Sequence, residues 1–102
     1  MTTELWEILV PTMIGEKPVR TRYHRVWDQK VRDIAKGLMV LKPDKGQWVN
    51  GDEEVVHERM IPVRIACSHE QIKLIARMTI EYYDQQAVMY YRLSELCIIE
   101  ER

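Results

Sequence analysis

Trp48, Glu58, Arg64 and Tyr90 are the residues whose types could do chemistry together. A carboxylate, a guanidinium and two rings with polar edges can hold and polarise a small organic molecule. Glu58 and Arg64 have the same parity in one strand-like run, so both side chains project to one face, where an ion pair between them is the simplest expectation. His57 precedes Glu58, and a histidine beside a carboxylate suggests acid–base chemistry. Neighbouring strand residues point to opposite faces, however, so His57 is expected to be exposed and inert, with Glu58 the better candidate. Spacing alone assigns no residue a catalytic role.

Other constellations carry less. His24 and Asp28 lie four apart on a helical face and His69 falls in the first turn of a second helix, but no third ligand stands at zinc spacing, so no metal is expected. Cys67 and Cys97 lie in apolar, strand-like runs without a nearby Cys or His partner, and read as small reduced core residues. No glycine-rich phosphate loop, nucleophile elbow or metalloprotease helix occurs, and no cofactor is implied. Arg22, Arg25, Arg32 and Lys36 form a basic stripe along the first helix, opposed by an acidic group of Asp52, Glu53, Glu54 and Glu58 further on. Such a stripe is ordinarily solvated surface; its sharper reading is a site for an anion or an acidic partner. It is also the main support for nucleic-acid binding, which is not expected of a chain with net charge −1 whose strands interleave basic and aromatic residues only at Tyr90-Tyr91-Arg92.

These residues sit in a chain of 102 residues, 46% hydrophobic and 30% charged, which suits one soluble globular domain spanning 1–102. No apolar run approaches the roughly 20 residues of a membrane span, and the start Met1-Thr-Thr-Glu-Leu-Trp lacks the basic and small-residue features of a signal peptide. A cytosolic address is therefore expected.

Periodicity supplies the elements that must position the site. Glu4 to Met13 reads as a first strand, with Trp6, Ile8 and Val10 on one face and Leu5, Leu9 and Met13 on the other. Ile14 to Arg22 reads as a loop. Tyr23, Trp27, Val31, Ile34 and Ala35 line one face of a helix from about Thr21, a candidate N-cap, to Lys36, with Gly37 as its stop. Leu38 to Lys42 and Gly46 to Val49 form an interrupted second strand, and Asn50-Gly51 predicts a tight type I′ hairpin turn. The return strand, Glu54 to Cys67, places Ile61, Val63, Ile65 and Cys67 under the helices and Met60, Pro62, Arg64 and Ala66 on the other face. Pro62 demands a bulge or an unpaired edge. Ser68-His-Glu-Gln71 predicts a capping box opening a helix whose stripe is Ile72, Ile75, Ala76, Thr79 and Tyr83, ending near Asp84. A last strand runs from Ala87 to Leu93 and from Glu95 to Ile99, kinked near Ser94.

The order strand, helix, strand, strand, helix, strand predicts an α+β two-layer sandwich, an antiparallel sheet with both helices on one face. The second face would then carry Leu5 or Leu9, Met39 or Leu41, Met60, Ala66 and one of Tyr90 and Tyr91, interrupted by Arg64 and Glu58. That is too apolar for comfortable exposure, and predicts a homodimer whose sheets face one another as a closed, barrel-like assembly. Two functions fit: a homodimeric binding or interaction protein, or a cofactor-free enzyme acting on a small organic substrate in a cleft lined by Trp48, Glu58, Arg64 and Tyr90.

Gly37-Leu-Met-Val-Leu41, Gly46-Gln-Trp48, Gly51, Val55-Val56 and Glu58, followed by Tyr82 or Tyr83 and Gln86-Ala-Val88, resemble the succession found in a family of small uncharacterised bacterial proteins. The resemblance covers the last two thirds of the chain. It implies a ferredoxin-like fold of the dimeric α+β barrel type and no established activity. The approach to Gly37 lacks the proline-containing segment of that pattern.

Overall fold

A computed structural model describes every residue from Met1 to Arg102. Strand β1 (Thr2–Pro11) leads through a small hairpin, β2 (Met13–Ile14) and β3 (Lys17–Pro18), into helix α1 (Thr21–Ile34). There follow β4 (Gly37–Val40), β5 (Asp44–Val49), β6 (Val55–Cys67), helix α2 (His69–Tyr82) and β7 (Tyr90–Ile98). The main sheet is antiparallel in the order β4-β6-β1-β7, with β5 continuing the β4 edge by pairing with the other half of β6. Each helix therefore crosses over a strand inserted between its neighbours, which gives a split β-α-β arrangement used twice.

Both helices cover one face. Trp6, Ile8 and Val10 of β1 and Val63, Ile65 and Cys67 of β6 meet Trp27 and Val31 of α1 and Ile72, Ile75, Ala76 and Tyr83 in or just beyond α2 in one core. The alternation read from β1 and β6 and the α2 stripe are the residues that are buried there. Ser68 Oγ accepts from Gln71 N–H while Gln71 Oε1 accepts from Ser68 N–H, so the α2 capping box forms as its spacing requires.

Several local features differ from the sequence reading. β1 ends at Pro11, and Met13 and Ile14 pair instead with Lys17 and Pro18, so the expected loop contains a hairpin turned by Gly15 at φ +60°. Thr21 is the first helical residue; the N-cap is Arg20, with no side-chain cap. α1 stops before Gly37, with Ala35 extended, and Gly37 opens β4. The Asn50-Gly51 turn is wider than the expected type I′. Asn50 C=O accepts from Glu53 N–H, its side-chain Oδ1 accepts from Asp52 and Glu54, and the left-handed residue is Glu53 at φ 61°. An asparagine side chain that satisfies two loop amides favours the longer loop.

Pro62 needs no bulge. Its register with Leu9 is continuous, and its carbonyl faces Leu41 N–H, at the gap where β4 gives way to β5. The missing donor falls where the neighbouring edge is already broken. The last strand starts at Tyr90 rather than Ala87, and its register shifts on either side of Leu5, the partner of Ser94, which is the expected kink.

Candidate functional site

Three of the four residues proposed for a ligand site border one cleft at the edge of the open sheet face. Trp48, Glu58 and Tyr90 border a cleft of about 550 Å³ with Leu9, Met60 and Val88. β5 and β6 place Trp48 and Glu58 there because Trp48 pairs with Val56 and Gly46 with Glu58, and paired residues share a face. Gly46 stands opposite Glu58, and a Cβ there would meet Met60 Cγ at 3.6 Å, ordinary contact, so space alone does not demand the glycine. The cleft adjoins a more polar hollow of about 680 Å³ that shares Trp48, Glu58 and Met60 and continues to the turn after α2.

Arg64 does not join them. It lies opposite Glu7 in the β1–β6 register, and its Nε donates to Glu7 Oε1 at 3.1 Å, so the expected Glu58–Arg64 pair is replaced by Glu7–Arg64. Glu58 is in no ion pair. Tyr90 only edges the cleft, because the register places it opposite Ile8, on the helix-covered side, with its ring 6.0 Å from that of Trp6. Tyr91 is the tyrosine on the open face, and its hydroxyl donates to Glu7 Oε2. The buried Glu7 carboxylate thus holds a guanidinium on one oxygen and a phenol on the other, in the middle of a face that no helix covers. Sequence reasoning passed over Glu7 and left the open-face tyrosine undecided between Tyr90 and Tyr91. The available signal was the single charge inside Leu5-Trp-Glu-Ile-Leu-Val10.

A second polar network lies between the helices. Trp27 Nε1 donates to Thr79 Oγ1 at 3.0 Å, and that hydroxyl donates to Ile75 C=O at 2.6 Å. The Tyr83 hydroxyl lies 2.7 Å from His24 Nδ1. Burial pushes the Tyr83 phenol well above its usual range, so it remains a donor, and Nδ1 accepts when the imidazole proton sits on Nε2. Burial lowers the His24 pKa, Asp28 one turn on opposing it, and burial raises the Asp28 carboxyl against the pull of Arg32 and His24. His24 thus serves the helix packing. No three His, Cys, Asp or Glu side chains come together as a metal would require. His57 is exposed on the face opposite Glu58. Cys67 is buried and unpaired, and burial, with Glu4 nearby, pushes its thiol up to about 12; Cys97 is half-buried and also free.

The basic stripe is spread along α1. Arg22, Arg25, Arg32 and Lys36 are all exposed, Lys36 beyond the helix end. Arg32 donates to Gln29 Oε1 and Gln29 in turn to Asp33, so the C-terminal part of the stripe is tied into its own helix. Arg22 instead borders a groove between α1, the small hairpin and the end of α2.

Sheet order, crossovers and helix placement define a ferredoxin-like α+β protein. Among solved structures the chain is similar to a phage SAM lyase in complex with S-methyl-5'-thioadenosine, at 17% identity and TM-score 0.63, covering 89% of this chain and 80% of that one. It is also similar to the divalent cation tolerance protein CutA1 of Thermus thermophilus, at 12% identity and TM-score 0.64, covering 100% and 88%. CutA1 of a psychrotrophic Shewanella matches at 11% identity and TM-score 0.60, covering 98% and 86%. Likeness at this identity establishes the shared fold. No protein-family model matches the chain, and no curated protein matches it by sequence. No helix is long and apolar enough to cross a membrane.

Proposed function

We propose that this chain is a cytosolic, self-associating binding protein whose open sheet face meets that of a second copy, a homodimer being the smallest assembly that covers it. The observation that carries this reading is the open face itself. Leu5, Leu9 and Met60 are only half-buried, Met39 and Tyr91 are 60% and 38% exposed, and among them sits the buried Glu7 carboxylate. An apolar surface arranged around a charge already satisfied by Arg64 and Tyr91 can be covered without stranding that charge. The cleft at its edge, bordered by Trp48, Glu58 and Met60, would then take a small organic molecule, with Trp48 as an aromatic wall and the free Glu58 carboxylate as its polar anchor.

A second reading, a cofactor-free enzyme, is favoured by one observation: the unpaired Glu58 faces an open volume large enough for a substrate. A carboxylate so placed can act as a general base toward a bound molecule. One ligand series addresses both. The fold is shared with a lyase holding a thioether nucleoside, so S-methyl-5'-thioadenosine and S-adenosylmethionine are the first probes. Binding is expected to raise the melting temperature, and Glu58→Gln to remove the rise while leaving the unliganded protein folded. Turnover of either probe that is lost in Glu58→Gln favours the enzyme. A rise that survives both Glu58→Gln and Trp48→Ala places the ligand elsewhere and overturns the cleft assignment.

A further inference from the structure

The groove at the start of α1 lies on the helix-bearing side, apart from the open-face cleft, and does not depend on the reading above. It holds about 470 Å³ between the β2–β3 hairpin, the first two turns of α1 and the end of α2. Its floor is apolar and aromatic: Ile14, Val19 and Val26 lie beside Tyr23 and Tyr82, whose rings stack at 4.2 Å and whose hydroxyls each donate to the other's backbone carbonyl. These reciprocal bonds hold the ring pair flat and in place. Its border carries Lys17, Arg20 and Arg22, all exposed, and none is in an ion pair. Lys30, outside the groove lining, stands over the Tyr82 ring at 5.8 Å from its centre.

We infer that this groove binds a small amphipathic anion, an oxyanion head on a flat apolar body. Two guanidiniums present planar forks that match carboxylate or phosphate oxygens, and the ring pair with Val26 offers the body a dry wall. The first turn of α1 has no acidic residue, so no carboxylate of that turn competes for those cations, and none of the three is in an ion pair. A small molecule fits better than a protein: nine lining residues fall short of the roughly 20–30 per side that a stable protein interface uses.

The test is a titration of the full-length, isotope-labelled chain followed by amide resonances, using naphthoate, naphthyl phosphate and the uncharged naphthylmethanol. Naphthoate or naphthyl phosphate should shift Tyr23, Val26 and Tyr82 saturably, the two arms showing which head group is preferred. Naphthylmethanol should bind at least about tenfold more weakly, the worth of one charge-assisted hydrogen bond. Arg20→Met with Arg22→Met should weaken the anions by at least about tenfold on the same ground, the spectrum elsewhere unchanged. Added salt should weaken them in the unmodified protein, which keeps the inference testable if that variant misfolds. Equal binding of the alcohol, saturable shifts at Trp48 and Glu58 instead, or no shift up to about 1 mM, the weak end of specific recognition, would overturn the inference. So would an acidic peptide of residues 50–58 occupying the groove where the naphthyl anions do not, because the occupant would then be a second copy of this chain.

Discussion

A histidine of α1 and the tyrosine that caps the end of α2 hold one hydrogen bond whose direction depends on protonation. His24 Nδ1 receives the Tyr83 hydroxyl, and burial lowers the histidine's pKa below its ordinary 6.5, Asp28 pulling the other way. The folded chain therefore binds this proton less readily than the unfolded chain does. Stability from this group is intact above about 6.5 and falls as acid carries the pH through that value and on through the lowered folded one. Asp28 acts oppositely: its raised carboxyl favours the folded state in acid, and that contribution is lost as pH rises through its folded pKa. The melting temperature should thus drop between about pH 7 and pH 5, and His24→Gln should flatten that slope. An unchanged slope in the variant would assign the titration to other groups. Residue types announced that these side chains could titrate, whereas the partner of His24 is 59 positions away and could not be read from them.

Among the elements, the contact between α1 and α2 combines packing with a buried relay. Trp27 is fully buried, and its N–H finds Thr79, whose hydroxyl passes its own hydrogen to Ile75 C=O. Thr79→Val keeps the shape and removes the acceptor, and should cost about 1–3 kcal/mol in denaturant unfolding, the penalty of a stranded buried donor. Thr79→Ser, which keeps the hydroxyl, should lose less; equal losses would make the methyl, not the hydrogen bond, the reason for threonine. The α2 stripe and capping box were legible because both are local, set by residues three and four apart. The β2–β3 hairpin was not, since two residue pairs around Gly15 leave no periodic trace.

At the scale of the whole molecule, one layer of helices leaves one sheet face without cover. Leu5→Glu with Met39→Glu places charge on that face and leaves the helix-side core untouched, and Leu5→Glu alone serves as the control because Met39 stands opposite Arg64 in the β4–β6 register. Light scattering should report an assembly for the unmodified chain at micromolar concentration and single chains for this variant. The mass of one chain for both would remove the basis for self-association.

By itself the amino-acid sequence determined the order of the main strands and helices, the alternation along β1 and β6, the α2 stripe, and hence the two-layer α+β layout. These follow from the helical and strand repeats and from caps, which are interactions between near neighbours in the chain. Tertiary structure alone decided that Arg64 meets Glu7, that Tyr91 rather than Tyr90 faces the open side, and that Pro62 falls at the break between β4 and β5. Each of these depends on strand register, which is chosen when distant segments dock and their side chains must share one face, and no local repeat encodes that choice.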